Sequence, residues 1–253
     1  MMIPFAKLGL ASSVAKAQNF SWLKTVELAG QFKFRQIQLY LNPSFLDENH
    51  AQLLLQTSAR FRVHLHLPPC VNEPKIQLFL ERYLKELKTP IFLIQHQTHW
   101  KTTDLFPLQT DLAINGLEND APRKTPKAFL DFFLERAQKE PRLIPVLDVS
   151  RFFVQAPPYL PFDEVQKQVI AIFLKLQELN QPFIIHAIDH PARQFKHQFW
   201  KPLLEGDLPW SKIIKIVNLR LDLLKCFMFE YENWSKVRKS IDNLMPKKTE
   251  TVW

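Results

Sequence analysis

Carboxylate and imidazole side chains end most of the apolar stretches of this sequence. Six successive stretches with the composition of buried strands stop at such a residue: His66, His96, Glu118, Asp148, His186 and Glu230. These side-chain types bind divalent metal ions and move protons near neutral pH. A single histidine at such a place is usually a core residue, and a single carboxylate is usually a helix cap. Six in a row predict one shared site.

The mixture of ligand types indicates the kind of metal. Aspartate, glutamate and histidine suit Mn²⁺, Zn²⁺, Co²⁺ or Mg²⁺. The two cysteines, Cys70 and Cys226, are outside this set, which argues against a closed structural zinc site. Carboxylates that crowd together repel one another, so the pKa of each would rise unless a cation lay between them. We therefore predict an open site for a divalent ion.

These residues can meet only if the fold gathers the ends of the stretches. Short apolar stretches alternate with segments of helical period, at 7–11, 35–41, 61–67, 91–96, 112–118, 143–148, 183–186 and 226–230. Eight βα units in about 250 residues are typical of an α/β (β/α)8 TIM barrel, whose strands all open onto one face at their carboxyl ends. We predict a single domain over residues 1–253 with a frayed tail at 246–253. Segment 213–221 fits a strand or a helix, and the preceding Trp210 and Ser211 favour a helix.

Composition narrows the classes of function. The 253 residues are 46% hydrophobic and carry a net charge of +8, which excludes a disordered chain and favours an anionic partner, although most of the charge fits a solvated surface. No apolar run approaches the roughly 20 residues of a membrane span. Few cysteines favour a reducing compartment, so we predict a cytoplasmic protein without a membrane partner. The sequence has no Gly-rich phosphate loop, which argues against Rossmann or P-loop cofactors.

Short motifs extend the pattern from about residue 5 to residue 244. They are His66 with Asn72, Gln95-His-Gln97, Leu117-Glu-Asn119, Leu147-Asp-Val149, His186-Ala-Ile-Asp189, Leu204-Glu-Gly-Asp207 and Phe229-Glu230. In their order and spacing the chain resembles the xylose-isomerase-like TIM barrel superfamily. That superfamily includes sugar isomerases and epimerases and the apurinic endonucleases of the endonuclease IV type (AP endonuclease family 2). The set of motifs is typical of the superfamily and not of one member.

The sugar epimerase branch implies a single metal ion held by Glu118, Asp148, His186 and Glu230, all of which are present. In that branch the two glutamates face opposite sides of the substrate carbon. One removes a proton and the other returns one, while the metal polarises the neighbouring oxygens. One departure is Gln38 in the second strand, where many members have glutamate.

The endonuclease branch implies three zinc ions instead. His66, His96 and Glu118 would hold the first, with Glu118 bridging to the other ligands. The third ion normally uses a histidine three residues after the strand-six aspartate, and this chain has Arg151 there. An Asp-x-His ligand pair is also replaced, by Phe199-Trp-Lys201. These departures count against complete abasic-site nuclease chemistry.

Three residues are candidates for substrate binding: Arg151, Arg193 and Asp189. The Arg151 guanidinium can pair with a phosphate or carboxylate of a substrate, or form a structural ion pair with Asp148 or Glu118. Arg193 lies one residue out of register from the place where epimerases have a substrate-binding arginine. Asp189 belongs to the motif at the seventh strand.

The sequence thus favours a metal-dependent isomerase or epimerase of a small carbohydrate or sugar phosphate, with Glu118 and Glu230 as the proton-transferring residues. Two alternatives stay open. One is an endonuclease IV-like phosphodiesterase that acts on damaged DNA without the third zinc, so nucleic acid is a less favoured partner. The other is a barrel without catalytic activity.

Overall fold

The carboxyl ends of eight parallel strands meet at one end of a closed barrel in the computed structural model, which describes residues 3–43, 46–69, 74–99, 113–192 and 196–245. The strands are β1 (Leu8–Ala11), β2 (Gln36–Tyr40), β3 (Arg62–His66), β4 (Ile91–His96), β5 (Ala113–Glu118), β6 (Ile144–Asp148), β7 (Phe183–Ala187) and β8 (Leu224–Phe229). Each strand pairs with the next in sequence, and β8 pairs with β1. The predicted (β/α)8 barrel is confirmed.

Helices surround this barrel. Those in the described ranges are α1 (Trp22–Gln31), α2 (Glu48–Ser58), α3 (Pro74–Leu84), α4 (Pro126–Ala137), α5 (Val149–Val154), α6 (Phe162–Glu178), α7 (Trp210–Leu219) and α8 (Trp234–Leu244). The helix favoured for segment 213–221 is confirmed by α7. Of the described helices, none combines the length and the apolar character needed to cross a lipid bilayer. The tail predicted to fray, 246–253, lies outside the described residues.

Local sequence signals set where several helices begin. Thr125 caps α4, since its hydroxyl accepts a hydrogen bond from the Ala128 backbone N–H at 3.1 Å, and Pro126 occupies the first turn. Helix α6 begins at Phe162, and Asp163 lies in its first turn. A carboxylate there interacts favourably with the helix dipole.

The two-residue period of the strands places polar side chains above an apolar barrel interior. Alternate residues of β4, β6 and β8 pack together inside the barrel, and they include Phe92, Ile94, Ile144, Val146, Cys226 and Met228. The next residues in the same alternation are His96, Asp148 and Glu230. Polar residues at the strand ends therefore lie over a packed floor at the mouth of the barrel.

Candidate metal centre

Glu118 lies at the centre of the cluster and is fully buried. Its Oε2 atom is 2.9 Å from His66 Nε2 and 3.2 Å from His96 Nε2. Its Oε1 atom is 3.0 Å from His186 Nδ1, which in turn is 3.2 Å from Glu230 Oε2. The structure thus brings together five of the six predicted metal ligands, in two groups that share Glu118 through different oxygens.

The two groups have the spacing and chemistry of metal ligands. In each, one donor atom per residue lies within 4.8 Å of the others. A small divalent ion with bonds of about 2.0 to 2.2 Å holds neighbouring ligand atoms at similar separations. Imidazole nitrogens and carboxylate oxygens are the donors that Zn²⁺, Mn²⁺ and Co²⁺ accept. The residues present therefore fit a divalent ion.

Asp148 and Arg151 form a second arrangement beside the cluster. Asp148 Oδ1 accepts a hydrogen bond from the Arg151 backbone N–H at 3.0 Å and so caps α5, while Asp148 Oδ2 is 3.0 Å from Arg151 Nε. Arg151 Nη1 lies 3.3 Å from Glu118 Oε1 and 3.0 Å from His96 Nε2. Arg151 thus makes the ion pairs that the sequence left open. The metal role of Asp148 and the substrate role of Arg151 stay predictions.

Asp189 organises the loop that follows β7. Its Oδ1 accepts hydrogen bonds from the backbone N–H groups of His190 and Leu208, and its Oδ2 from those of Leu204 and Gly206. Both carboxylate oxygens are therefore engaged by the loop backbone, and a role in substrate binding stays a prediction.

Two residues singled out in the sequence, the substrate-binding candidate Arg193 and Asn72 of the first motif, lie outside the described residues. The substrate-binding role predicted for Arg193 therefore also stays a prediction.

Among solved structures, a xylose isomerase-like TIM barrel protein from Mycobacterium smegmatis, crystallised in complex with magnesium, is similar to this chain with a TM-score of 0.52. The similarity covers 96% of this chain and 99% of that chain at 11% identity. This chain has the same TIM-barrel fold as that protein. At such low identity the likeness shows the fold alone. No family model matches the sequence, and no curated protein does.

In this barrel, opposite charges favour the ionised form of the two glutamates. Burial by itself raises the pKa of Glu118, but Arg151, His186 and His96 outweigh it and hold this pKa well below its ordinary value. Burial also acts on Glu230, and attraction from His186 lowers the pKa of that carboxyl. The rise expected for crowded carboxylates does not occur at these two residues because cationic groups lie between them.

Among other titratable groups of the centre, the pKa is raised for some and lowered for others. Burial, together with repulsion from Glu230 and Glu118, raises the pKa of Asp148 to about 7 despite the neighbouring Arg151. Burial lowers the pKa of His186, but Glu230 and Glu118 attract the imidazolium and raise this pKa to about 10. His66 shows the opposite balance, because burial prevails and lowers its pKa.

Three residues outside the predicted set hold the cluster in place. Asp120 Oδ2 lies 2.8 Å from His96 Nδ1 and so orients that ring. Gln38 Nε2 donates to Glu230 Oε1 at 2.6 Å, and the Tyr40 hydroxyl donates to the same oxygen at 3.1 Å. Gln38 and Tyr40 share one face of β2 by the two-residue alternation, and Asp120 closely follows Glu118. This strand alternation is the sequence signal that could have found them.

A cavity of about 800 Å³ opens above the cluster at the barrel mouth. Its described lining combines polar residues of the cluster with apolar or aromatic side chains. The polar residues include His66, His96 and Glu230, and the apolar or aromatic residues include Phe20, Pro68 and Trp200. Cavities of roughly 300 to 1,000 Å³ are typical of small-molecule sites. The cluster is therefore accessible from a space that a small molecule fits.

Proposed function

We propose that this chain is a divalent-metal-dependent isomerase or epimerase of a small carbohydrate or sugar phosphate. The observation that carries the proposal is the convergence of Glu118 and Glu230 on His186 Nδ1, at 3.0 and 3.2 Å. These two carboxylates come from strands three positions apart around the barrel. The magnesium complex of the similar M. smegmatis protein supports a divalent ion in this fold.

The two glutamates would divide the transfer of a proton between them. A bound divalent ion would polarise a carbonyl and a neighbouring hydroxyl of the substrate. One of Glu118 and Glu230 then removes a proton from the adjacent carbon, and the other returns one. Neighbouring positive charges lower the pKa of both carboxyls and so favour the ionised form. Gln38 and Tyr40 hold Glu230 Oε1 and leave Oε2 directed to the cluster.

The lining of the cavity suits a polar molecule with an apolar face. Phe20 and Trp200 offer aromatic surface to a sugar ring, and Ser13 and Ser150 bring hydroxyl groups to the same cavity. Lys16 also lines it and pairs with Glu232 at 2.6 Å. A phosphate on the substrate would compete with Glu232 for this ammonium group. A carbohydrate partner and a cytoplasmic location remain predictions.

Proton exchange with solvent tests this function directly. The chelator-treated chain is titrated with Mn²⁺, Co²⁺, Zn²⁺ and Mg²⁺ and incubated with ketoses and sugar phosphates in deuterated water. We expect metal-dependent deuterium incorporation that falls by about 10² to 10⁴-fold in Glu118→Gln and in Glu230→Gln, as for a lost acid–base group. The exposed Glu135→Gln on α4 is the matched control. Absence of exchange on every substrate with metal bound would refute the proposal.

A second candidate, a phosphodiesterase acting on damaged DNA, is favoured by one observation. His66, His96 and Glu118 form a separate donor group, as a first zinc site of that branch would require. Nicking of a duplex with an abasic site at low salt, with no sugar exchange, would favour this candidate. A folded chain that binds no divalent ion would instead favour the barrel without catalytic activity.

A further inference from the structure

We infer that Arg151 occupies the space of a second metal ion, so that the centre binds one ion, between Glu118, His186 and Glu230, and excludes one from His66 and His96. This inference rests on the proposed function in that it assumes a metal centre at the barrel mouth. It goes further by assigning the ion to one of the two donor groups and by naming Arg151 as the residue that prevents binding at the other group.

The position of the guanidinium is the first argument. Arg151 Nη1 lies 3.0 Å from His96 Nε2 and 3.3 Å from Glu118 Oε1, and Arg151 Nε lies 3.0 Å from Asp148 Oδ2. An ion bound to His96 Nε2 would lie within a few ångströms of this permanent positive charge. Two cations this close repel strongly in a buried site, and an arginine does not lose its proton to relieve the repulsion.

The bonding directions of the donor atoms are the second argument. Each imidazole nitrogen has a single in-plane direction for a bond. His96 Nδ1 faces Asp120 Oδ2 at 2.8 Å, so Nε2 is the ring atom left to bind an ion, and Arg151 Nη1 lies 3.0 Å from it. A carboxylate oxygen has further lone pairs, so Glu118 Oε1 can accept from Arg151 and still bind an ion beside His186. Arg151 therefore closes the histidine pair and leaves the other group open.

The backbone holds Arg151 in this place. Asp148 ends β6, caps α5 through the Arg151 N–H, and binds the Arg151 side chain through its second oxygen. The side chain is about one quarter exposed, at 26%. To admit a second ion, the guanidinium would have to leave three partners, Asp148, Glu118 and His96. The same contacts occupy Asp148, which joins neither convergent group of donors within the described residues.

Metal stoichiometry tests the inference without any assay of activity. The full chain is dialysed against Zn²⁺, desalted, and analysed for bound zinc by mass spectrometry and for Co²⁺ ligation by absorption. We expect one ion per chain in the wild type and a second ion in Arg151→Met. Arg238→Met removes the same charge from an exposed position on α8 and should leave the count at one. Two ions in the wild type, or one in Arg151→Met, would overturn the inference.

A pair of ligand variants tests the same point with Arg151 in place, which matters if Arg151→Met does not fold. Loss of a residue that only supports a metal ligand weakens metal binding by roughly 10- to 100-fold. His186→Ala removes a ligand itself, so we expect a larger loss of zinc affinity. His96→Ala should keep the ion. The reverse pattern would overturn the inference and leave the metal-dependent function standing. A wild-type chain that binds no ion would refute both.

Discussion

At the scale of single residues, the centre is a buried carboxylate surrounded by cationic groups. Glu118 has no solvent exposure and contacts the cationic groups of Arg151, His96 and His186, and also His66, whose pKa is lowered by burial. Burial of a charge is costly unless partners compensate it, and here the lowered pKa of Glu118 shows that they do more than compensate. The cluster is thus held together by opposite charges even without metal.

Replacement of Glu118 should therefore destabilise the metal-free chain. In Glu118→Gln the cationic neighbours lose their central counter-charge, so we expect the free energy of unfolding to fall by about 3 to 5 kcal/mol. Urea denaturation in the presence of chelator measures the change. The exposed Glu135→Gln should stay within about 0.5 kcal/mol of the wild type. A higher unfolding midpoint in Glu118→Gln would indicate a cluster of mutually repelling acids instead.

The raised pKa of His186 predicts how stability depends on pH. Its value of about 10 in the folded chain exceeds the ordinary value of about 6.5, so protonation stabilises the fold. This contribution is complete below about pH 6.5 and is lost as pH rises to about 10. In chelator, the stability difference between wild type and His186→Gln should therefore shrink over that range, by up to about 1.4 kcal/mol per pH unit.

His66→Gln is the control for this pH dependence. Burial lowers the pKa of His66 below its ordinary value, so no stabilisation from its protonation is lost as the pH rises above about 6.5. A stability difference between wild type and His186→Gln that stays constant across the range would contradict the predicted protonation of His186.

At the scale of elements, the loop after β7 illustrates how one carboxylate organises a segment without regular structure. Asp189 accepts four hydrogen bonds from loop N–H groups, two on each oxygen. Gly206 approaches it so closely that an added Cβ would overlap Asp189 Oδ1 and lie 2.8 Å from the His190 nitrogen. The glycine is required here because no side chain fits between the loop and its anchor.

A pair of glycine substitutions tests this anchoring. Gly206→Ala should destabilise the chain by about 1 to 3 kcal/mol because the loop must move away from Asp189. Gly30→Ala lies in α1, where a Cβ would have only an ordinary contact with Arg60 Nη2 at 3.5 Å. That change should stabilise the helix by about 0.5 to 1 kcal/mol. Chemical denaturation of both variants gives the sign of each change in the free energy of unfolding. Equal effects of the two substitutions would contradict the close approach of Gly206 to Asp189.

At the scale of the whole molecule, barrel closure gathers the residues of the cluster from distant parts of the chain. Glu118 and His186 are 68 residues apart in sequence, and Gln38 and Glu230 are 192 apart. These groups meet only when β1 and β8 pair and the barrel closes. Binding of an ion to them is therefore coupled to folding of the entire barrel.

Divalent metal should accordingly stabilise the folded chain against global unfolding. At a free ion concentration of about 100 times Kd, we expect the free energy of unfolding to rise by about 2.7 kcal/mol. For a chain of this size this corresponds to an increase in Tm of roughly 5 to 10 °C. Differential scanning calorimetry with and without chelator measures it. Glu118→Gln combined with Glu230→Gln should remove the shift. A wild-type Tm indifferent to every divalent ion would contradict a metal centre.

The sequence by itself determined the barrel and the identity of most site residues. Strand and helix periods differ, so the eight strands, and the helix at 213–221, could be recognised from local pattern alone. Because parallel strands in a barrel open on one face, a polar residue at a strand end belongs to that face. The positions of His66, His96, Glu118 and Glu230 at their strand ends therefore assign all four to the mouth of the barrel.

Only the tertiary structure decided how these residues are partnered. Asp148 has the same position at its strand end as Glu118, yet its two oxygens contact Arg151, whereas those of Glu118 join both donor groups. Strand periodicity specifies a face, but it does not specify hydrogen-bond partners within about 3 Å, since these depend on side-chain positions in segments far apart in sequence. The contact of Asp120 with His96, and those of Arg151 with Glu118 and His96, form only where the barrel brings these residues together.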